Sequence, residues 1–386
     1  MTQLDRARLA VRSPADLIAA VPYLLGFHPT DSVVVVALHG RRIIFAARAD
    51  LPGRGADPGP PARHLAEVIV RQRAESATVV GYGPAERVTT AVDAVRVALA
   101  GVGLVVLDAL RVTGGRYWSY LCTEAECCPP DGTPYDPEAS EVSAAAVFAG
   151  QVALPDRAAL TALVAPLDGP VRVAMRKATA RAGQRLARML GRPAGAELPP
   201  GEPVRAAHGP ASSAGDPARA AGGPSSAGDP GDAGDDGAVR AAGVAAVRAA
   251  RRRQRRGERL TDDEVAWLSL LLTRLTVRDH AWERTDGRDE DIALWTDVLR
   301  RAEPGLSAAP ASLLAFAAWR AGQGALAAVA LERALTEHPG YSLALLLDDL
   351  LRRGVPPSQL DGWPAVAPPG VVRRRSRRPR PPRRGS

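Results

Sequence analysis

Cysteine, aromatic rings and long apolar runs are all scarce in this chain, and each shortage removes a class of protein. Only three cysteines occur in 386 residues, all between positions 122 and 128. That number and spacing exclude a secreted scaffold stapled by disulfides, and the thiols are expected to stay reduced. Six Trp, six Tyr and four Phe make up all the aromatic residues, so the core has to be filled mainly by aliphatic side chains. The longest strongly apolar run, residues 33–38, is far short of the roughly 20 needed to cross a membrane. The N-terminus carries Asp5 and Asp16 and has no apolar stretch leading to a small-residue cleavage site. We therefore expect no signal peptide, no membrane span and a cytoplasmic location. No G-x-S-x-G element and no P-loop is present, and the acidic segment from Asp286 to Asp291 does not have the ligand order of an EF-hand.

A formal net charge of +8 suggests a polyanionic partner, but its location weakens that suggestion. Residues 373–384 hold eight arginines and no acid, which equals the whole net charge. Interleaved with Pro379, Pro381 and Pro382, this tail cannot bury a core. It reads as a solvated tail or as a loose, salt-sensitive nucleic-acid or acidic-partner contact without sequence readout.

Periodicity divides the chain. Ser13-Pro14-Ala15-Asp16 starts a helix that Gly26 ends. Strands follow at 33–38 and 43–48, then a helix with Leu65, Val68 and Ile69 on one face, a strand at 78–82, and a helix carrying Val88, Val92, Val95 and Leu99. Strands at 104–112 and 116–121 are joined by Gly114-Gly115. Two short helical pieces separated at Pro155 precede a strongly basic helix at 171–190. The basic face of that helix reads as a solvated surface near acidic neighbours, or alternatively as a partner or membrane-surface helix.

Residues 193–238 are low-complexity linker, with Ser-Ser-Ala-Gly-Asp-Pro occurring twice. Beyond them the chain is helical. Thr261 and Glu264 form a capping box, and Gly322, Ala327, Leu331, Ala334 and Pro339 have the spacing of one tetratricopeptide-like helix hairpin. The expected organisation is an α/β domain (1–192) with a mixed β-sheet covered by helices, a linker (193–238), an all-α helical bundle (239–362) and an Arg/Pro-rich tail (363–386).

Few residues carry chemistry. Cys122, Cys127 and Cys128 could hold Zn²⁺ with a fourth ligand such as His28, although the spacing is not that of a zinc ribbon and adjacent cysteines seldom bind one ion. They could form a redox pair between Cys122 and Cys127 or Cys128, or pack as small apolar groups. His28 and Asp31, with Ser32 beside them, could form an acid/base pair at a strand end, or Asp31 and Ser32 could be turn formers. Gly81 to Glu86, with Asp108 some 20 residues on, occupies the place of a dinucleotide fingerprint, but Glu86 would repel a phosphate and Pro84 removes an N–H donor.

Three separated segments carry a family resemblance. They are Ser13-Pro14-Ala15-Asp16-Leu17 with residues 21–29 and Asp31-Ser32, then residues 115–122 with Cys127-Cys128-Pro129 and Gly132, then residues 313–351 with Ala317-Ala318-Trp319 and residues 332–335. Together they resemble the actinobacterial family named domain of unknown function 4192. The resemblance covers most of residues 10–355 apart from the linker. It implies an actinobacterial, cytoplasmic origin and supplies no activity. On the residues, the leading expectation is a non-enzymatic ligand- or partner-binding regulatory protein. The alternatives are a metal- or thiol-dependent enzyme joining the His28 and Cys122–Cys128 loops, and a nucleic-acid-associated protein acting through the tail.

Overall fold

The computed structural model describes residues 11–40, 42–191 and 230–360, the side chains of 230–236 and 360 excepted. The expected basic tail and most of the expected linker lie outside those residues. The chain opens with α1 (Pro14–Leu25), where Ser13 and Asp16 form a reciprocal capping box and Gly26 ends the helix in the left-handed region. A hairpin follows, β1 (Ser32–His39) and β2 (Arg42–Asp50), then α2 (Gly59–Arg71), β3 (Ser76–Tyr82), α3 (Ala85–Gly101), β4 (Val105–Thr113), β5 (Arg116–Ser119), β6 (Thr133–Pro134) and α4 (Glu141–Phe148). The strands form one six-stranded sheet in the order β2-β1-β3-β4-β5-β6. β3 and β4 are parallel, as a crossover helix requires, and the other neighbours are antiparallel, so the sheet is mixed.

Alternation along the strands sends side chains to two cores. Val33, Val35, Ala77, Val79 and Ala109 pack under α2 and α3, whose Leu65, Ile69, Val88, Val92 and Leu99 are buried there. Val34, Val36, Val80, Leu110 and Val112 face the other way and meet Leu17, Ile18 and Val21 of α1.

A helical unit follows. It contains α5 (Arg157–Val164), α6 (Pro170–Met189), α7 (Pro230–Arg255), α8 (Asp262–Leu271), α9 (Leu275–Trp282), α10 (Asp289–Arg301), α11 (Ala308–Arg320), α12 (Gly324–Glu337) and α13 (Ser342–Arg352). Leu160 and Val164 of α5, with Met175, Ala178, Ala182 and Leu186 of α6, are buried in one core with Leu268, Trp295, Leu313 and Leu331. Residues from α5 onward thus share a core with the later helices, as does Phe27 before β1. An amphipathic stripe shows that a helix buries one face, but not what it buries that face against. α7 likewise begins at Pro230, before the expected end of the linker at 238. A proline in the first turn costs no hydrogen bond, because that N–H has no helical partner. The expected hairpin is α11 with α12, where Ala327, Leu331 and Ala334 are buried.

Arginines tie the helices together. Arg301, 2% exposed, pairs with Asp262 and Asp297, and Arg251 pairs with the buried Asp291. At the contact between the units, the Arg71 guanidinium donates to the Arg353 carbonyl and the Gln72 amide donates to that of Gly354.

Trp295 is wholly buried, and its indole N–H donates to Thr285 Oγ1 at 3.0 Å. Trp295→Ala should destabilise the protein by about 3–5 kcal/mol. Thr285→Val, which orphans the indole N–H, should cost about 1–3 kcal/mol. Urea unfolding followed by circular dichroism measures both, and equal losses would contradict the packing assigned to Trp295.

Candidate functional site

The loop between β5 and β6 is strapped down on every side. Ser119 Oγ donates to Asp108 Oδ1 at 2.7 Å and accepts from the Leu121 and Cys122 N–H groups, fixing the entry to the loop. Trp118 Nε1 donates to the Pro130 carbonyl at 3.0 Å, while the Arg111 guanidinium lies 3.8 Å from the Trp118 ring centroid. Arg116 donates to the Gly132 carbonyl, and Thr133 Oγ1 to that of Cys127. Gly132 has φ +79°, and a Cβ there would lie 2.4 Å from Trp118 Cε2. The loop can close over the indole only with glycine at this position, for conformational and steric reasons alike.

These restraints bring three thiols together. Cys122 and Cys127 Sγ are 2.9 Å apart, Cys127 and Cys128 Sγ are 3.7 Å apart, and all three sulfurs lie within 4.8 Å of one another. No disulfide is formed. Cys127 is exposed and the other two are half-exposed, so the cluster opens to solvent. Hydrogen bonding from the Cys127 and Cys128 thiols lowers the pKa of Cys122. The same contact with Cys122 raises Cys127, and desolvation foremost pushes Cys128 up to about 12. The group that ionises first is thus Cys122, flanked by two thiol donors.

A tetrahedral Zn²⁺ with Zn–S bonds of about 2.3 Å holds its sulfurs about 3.8 Å apart. The Cys127–Cys128 separation already matches that edge, and the Cys122–Cys127 separation needs to open by less than about 1 Å to reach it. The sulfurs of the adjacent cysteines thus lie at a separation that one ion could bridge.

His28 does not join them. β1, which follows the His28 loop, is separated from β5 by β3 and β4, three strand spacings or about 14 Å, and the thiols lie beyond β5. The expected fourth ligand and the expected enzyme site joining the two loops are therefore not assembled. Nor is the acid/base pair. The Asp31 carboxylate is 2.8 Å from Arg87 Nη1, its carbonyl accepts from Leu51 N–H, and its φ is +42°. Asp31 is a turn residue that ties the start of β1 to α3. Ser32 Oγ is buried and makes no hydrogen bond among the described residues, so it cannot meet a substrate. His28 is exposed, and its backbone N–H donates to Leu154.

The dinucleotide position is also accounted for by packing. A Cβ on Gly81 would lie 2.3 Å from Val88 Cγ1, so this glycine lets β3 and α3 approach. Asp108, the would-be ribose ligand, is bonded to Ser119 Oγ and the Ala109 N–H. The basic helix α6 meets acidic neighbours, with Arg181 on Asp263 and Arg172 on Glu303, and Arg185 stacks on Trp267. Sequence reasoning did not find Asp108, Arg111 and Ser119 as supports of the thiol loop. Only strand pairing across the β4–β5 hairpin brings them to it.

In metal-free protein, Cys122 should alkylate at lower pH than Cys127 or Cys128. Cys127→Ala removes a thiol donor, so the pH midpoint of Cys122 should move up toward that of an ordinary thiol. Iodoacetamide labelling across pH, read by peptide mass spectrometry, tests this. Equal midpoints for all three thiols would contradict the geometry.

Comparison with known proteins finds one family. Its description is Domain of unknown function (DUF4192), and its profile matches residues 14–227 and 196–358. No curated protein and no solved structure matches the chain. No helix among the described residues is long and apolar enough to cross a membrane. With the two matches together spanning most of the chain and taking in both the sheet that carries the thiol loop and the helical unit, this protein belongs to the DUF4192 family.

Proposed function

We propose that this protein is a non-enzymatic, actinobacterial cytoplasmic binding protein with a regulatory role, and that its loop Cys122–Cys128 takes up a thiophilic divalent cation, zinc foremost. One observation carries the reading: three sulfurs converge on one point in a loop fixed by side chains of β4 and β5. A fixed loop loses little conformational freedom on binding, which favours affinity. Thiolates suit borderline-soft ions, and a reducing cytoplasm keeps the thiols available. Three protein ligands leave a fourth position open to solvent or to a partner's side chain, which is where regulation would act. The separation of His28 and Asp31 from the thiols supports binding over catalysis.

The 2.9 Å separation of Cys122 and Cys127 favours a second reading, a reversible dithiol pair. The two readings predict different products.

Full-length protein purified under reducing, anaerobic conditions should bind about one equivalent of Co²⁺, with sulfur-to-cobalt charge-transfer absorption. Cys122→Ser and Cys128→Ser should each weaken binding at least about tenfold. Absence of metal uptake by well-folded protein would end the metal reading. Under the dithiol reading, mild oxidation should yield a Cys122–Cys127 disulfide, seen by peptide mapping, and Cys128→Ser should not prevent it.

A further inference from the structure

The helix α7 divides its arginines into two rows. Its buried row is Val239, Gly243, Val247 and Ala250. Arginines flanking that row are paired: Arg251 with Asp291, and Arg253 with Glu258 and Glu264. The solvent side carries Arg240, Arg248, Arg252 and Arg255, all exposed and none in an ion pair among the described residues, with Arg240 at its edge next to Arg251. At 100° per residue these four fall within an arc of about 120°. They run about 22 Å along the axis at 1.5 Å per residue. Between Arg240 and Arg248 the surface is Ala241, Val244 and Ala245, which form the floor of a shallow groove. Small side chains there let a rod-shaped partner come close to the helix.

Beside this face stands His280 of α9. Its Nε2 is buried with no hydrogen-bond partner among the described residues. Desolvation foremost, then the charges of Arg284, Arg248 and Arg240 against the opposing Glu283, hold its pKa below the ordinary value. The positive field of the arginine row therefore extends to a second helix.

We propose that this face of α7 is a docking surface for the phosphodiester backbone of duplex nucleic acid, bound without base readout. Arginine is suited to this role because its planar fork donates two hydrogen bonds to one phosphate. Over 22 Å of its axis a duplex carries about six phosphates on each strand, and those turned toward α7 are the ones its four guanidinium groups can meet. The described exposed face holds no aromatic side chain, so the stacking platform that single strands require is missing. This face is separate in sequence from both the thiol loop and the arginine tail.

The test is fluorescence anisotropy of a labelled 20-base-pair duplex with the full chain, at salt concentrations from about 20 to 200 mM. Wild type should bind at low salt, and the triple variant Arg240→Ala, Arg248→Ala, Arg252→Ala should bind at least about tenfold more weakly. Its plot of log affinity against log salt should be shallower by about 2.7, the slope of three lost phosphate contacts. These side chains are exposed, so an unchanged thermal midpoint should accompany the loss. A second readout separates this face from the tail. In the wild-type chain, bound duplex should raise the His280 pKa, followed by its imidazole proton resonance, because phosphates offset the arginine charges. Unchanged affinity and slope in the triple variant would overturn the proposal, as would no binding by wild type at low salt. Equal competition by poly-glutamate of matched charge would also overturn it, since the face would then select acidic polypeptide as readily as phosphate.

Discussion

A Cβ on Gly81 would lie 2.3 Å from Val88, one on Gly243 the same distance from Val277, and one on Gly354 2.5 Å from Val68. Each contact is a place where two backbones come closer than any side chain but hydrogen permits. The chain depends on this because it has so few large rings with which to fill space. Interiors must still reach crystal-like density, and with alanine and valine as the main material the elements themselves have to move together. Gly81 sets the distance of α3 from the sheet, Gly243 that of α7 from α9, and Gly354 seats the end of α13 on α2. The second of these keeps α7 fixed by its inner row, which leaves its outer row free of packing duties.

The same constraint, applied once to a ring, builds the thiol loop. Trp118 has Arg111 over its ring and Gly132 pressed against it. The indole stands where a hydrophobic core would otherwise be needed to order the thirteen residues between β5 and β6. Its N–H binds the Pro130 carbonyl and so fixes the loop's return, while Ser119 on Asp108 fixes its departure. Three cysteines in a free loop would sample many separations. Pinned at both ends, they are held in one, and the ordering entropy that a bound ion would have to offset is already met in folding.

Much of the architecture was legible in the sequence, and for identifiable reasons. Ser13 and Asp16 announce α1, and Thr261 with Glu264 announces α8, because a capping box is a local contact three residues long. Gly114-Gly115 announces the β4–β5 hairpin by the same logic, and both glycines have positive φ. What escaped was everything that depends on a distant partner. Met175, Ala178 and Ala182 show that α6 has an apolar face, yet nothing in them says that α8 covers it. Asp31 looked like a partner for His28 because the two are neighbours in sequence, whereas its carboxylate is held by Arg87, 56 residues away. The convergence of the cysteines depends in turn on Asp108 and Arg111, which reach the loop only through the register of β4 against β5.

Charge shows the same gap between composition and placement. The tail's eight arginines equal the net charge of +8, so the remainder is neutral on balance, and a neutral balance invites the conclusion that no surface of the folded part is basic. The ion pairs argue otherwise. Asp291 is buried against Arg251, and Asp262 and Asp297 are held by the buried Arg301, since a buried cation must have a partner. Acids held by buried arginines are less available to the outer face of α7. Because α7 carries more arginines than its inward neighbours can match, the surplus collects on the side turned to solvent. A cationic surface thus arises in a charge-balanced fold as a consequence of where its acids are required.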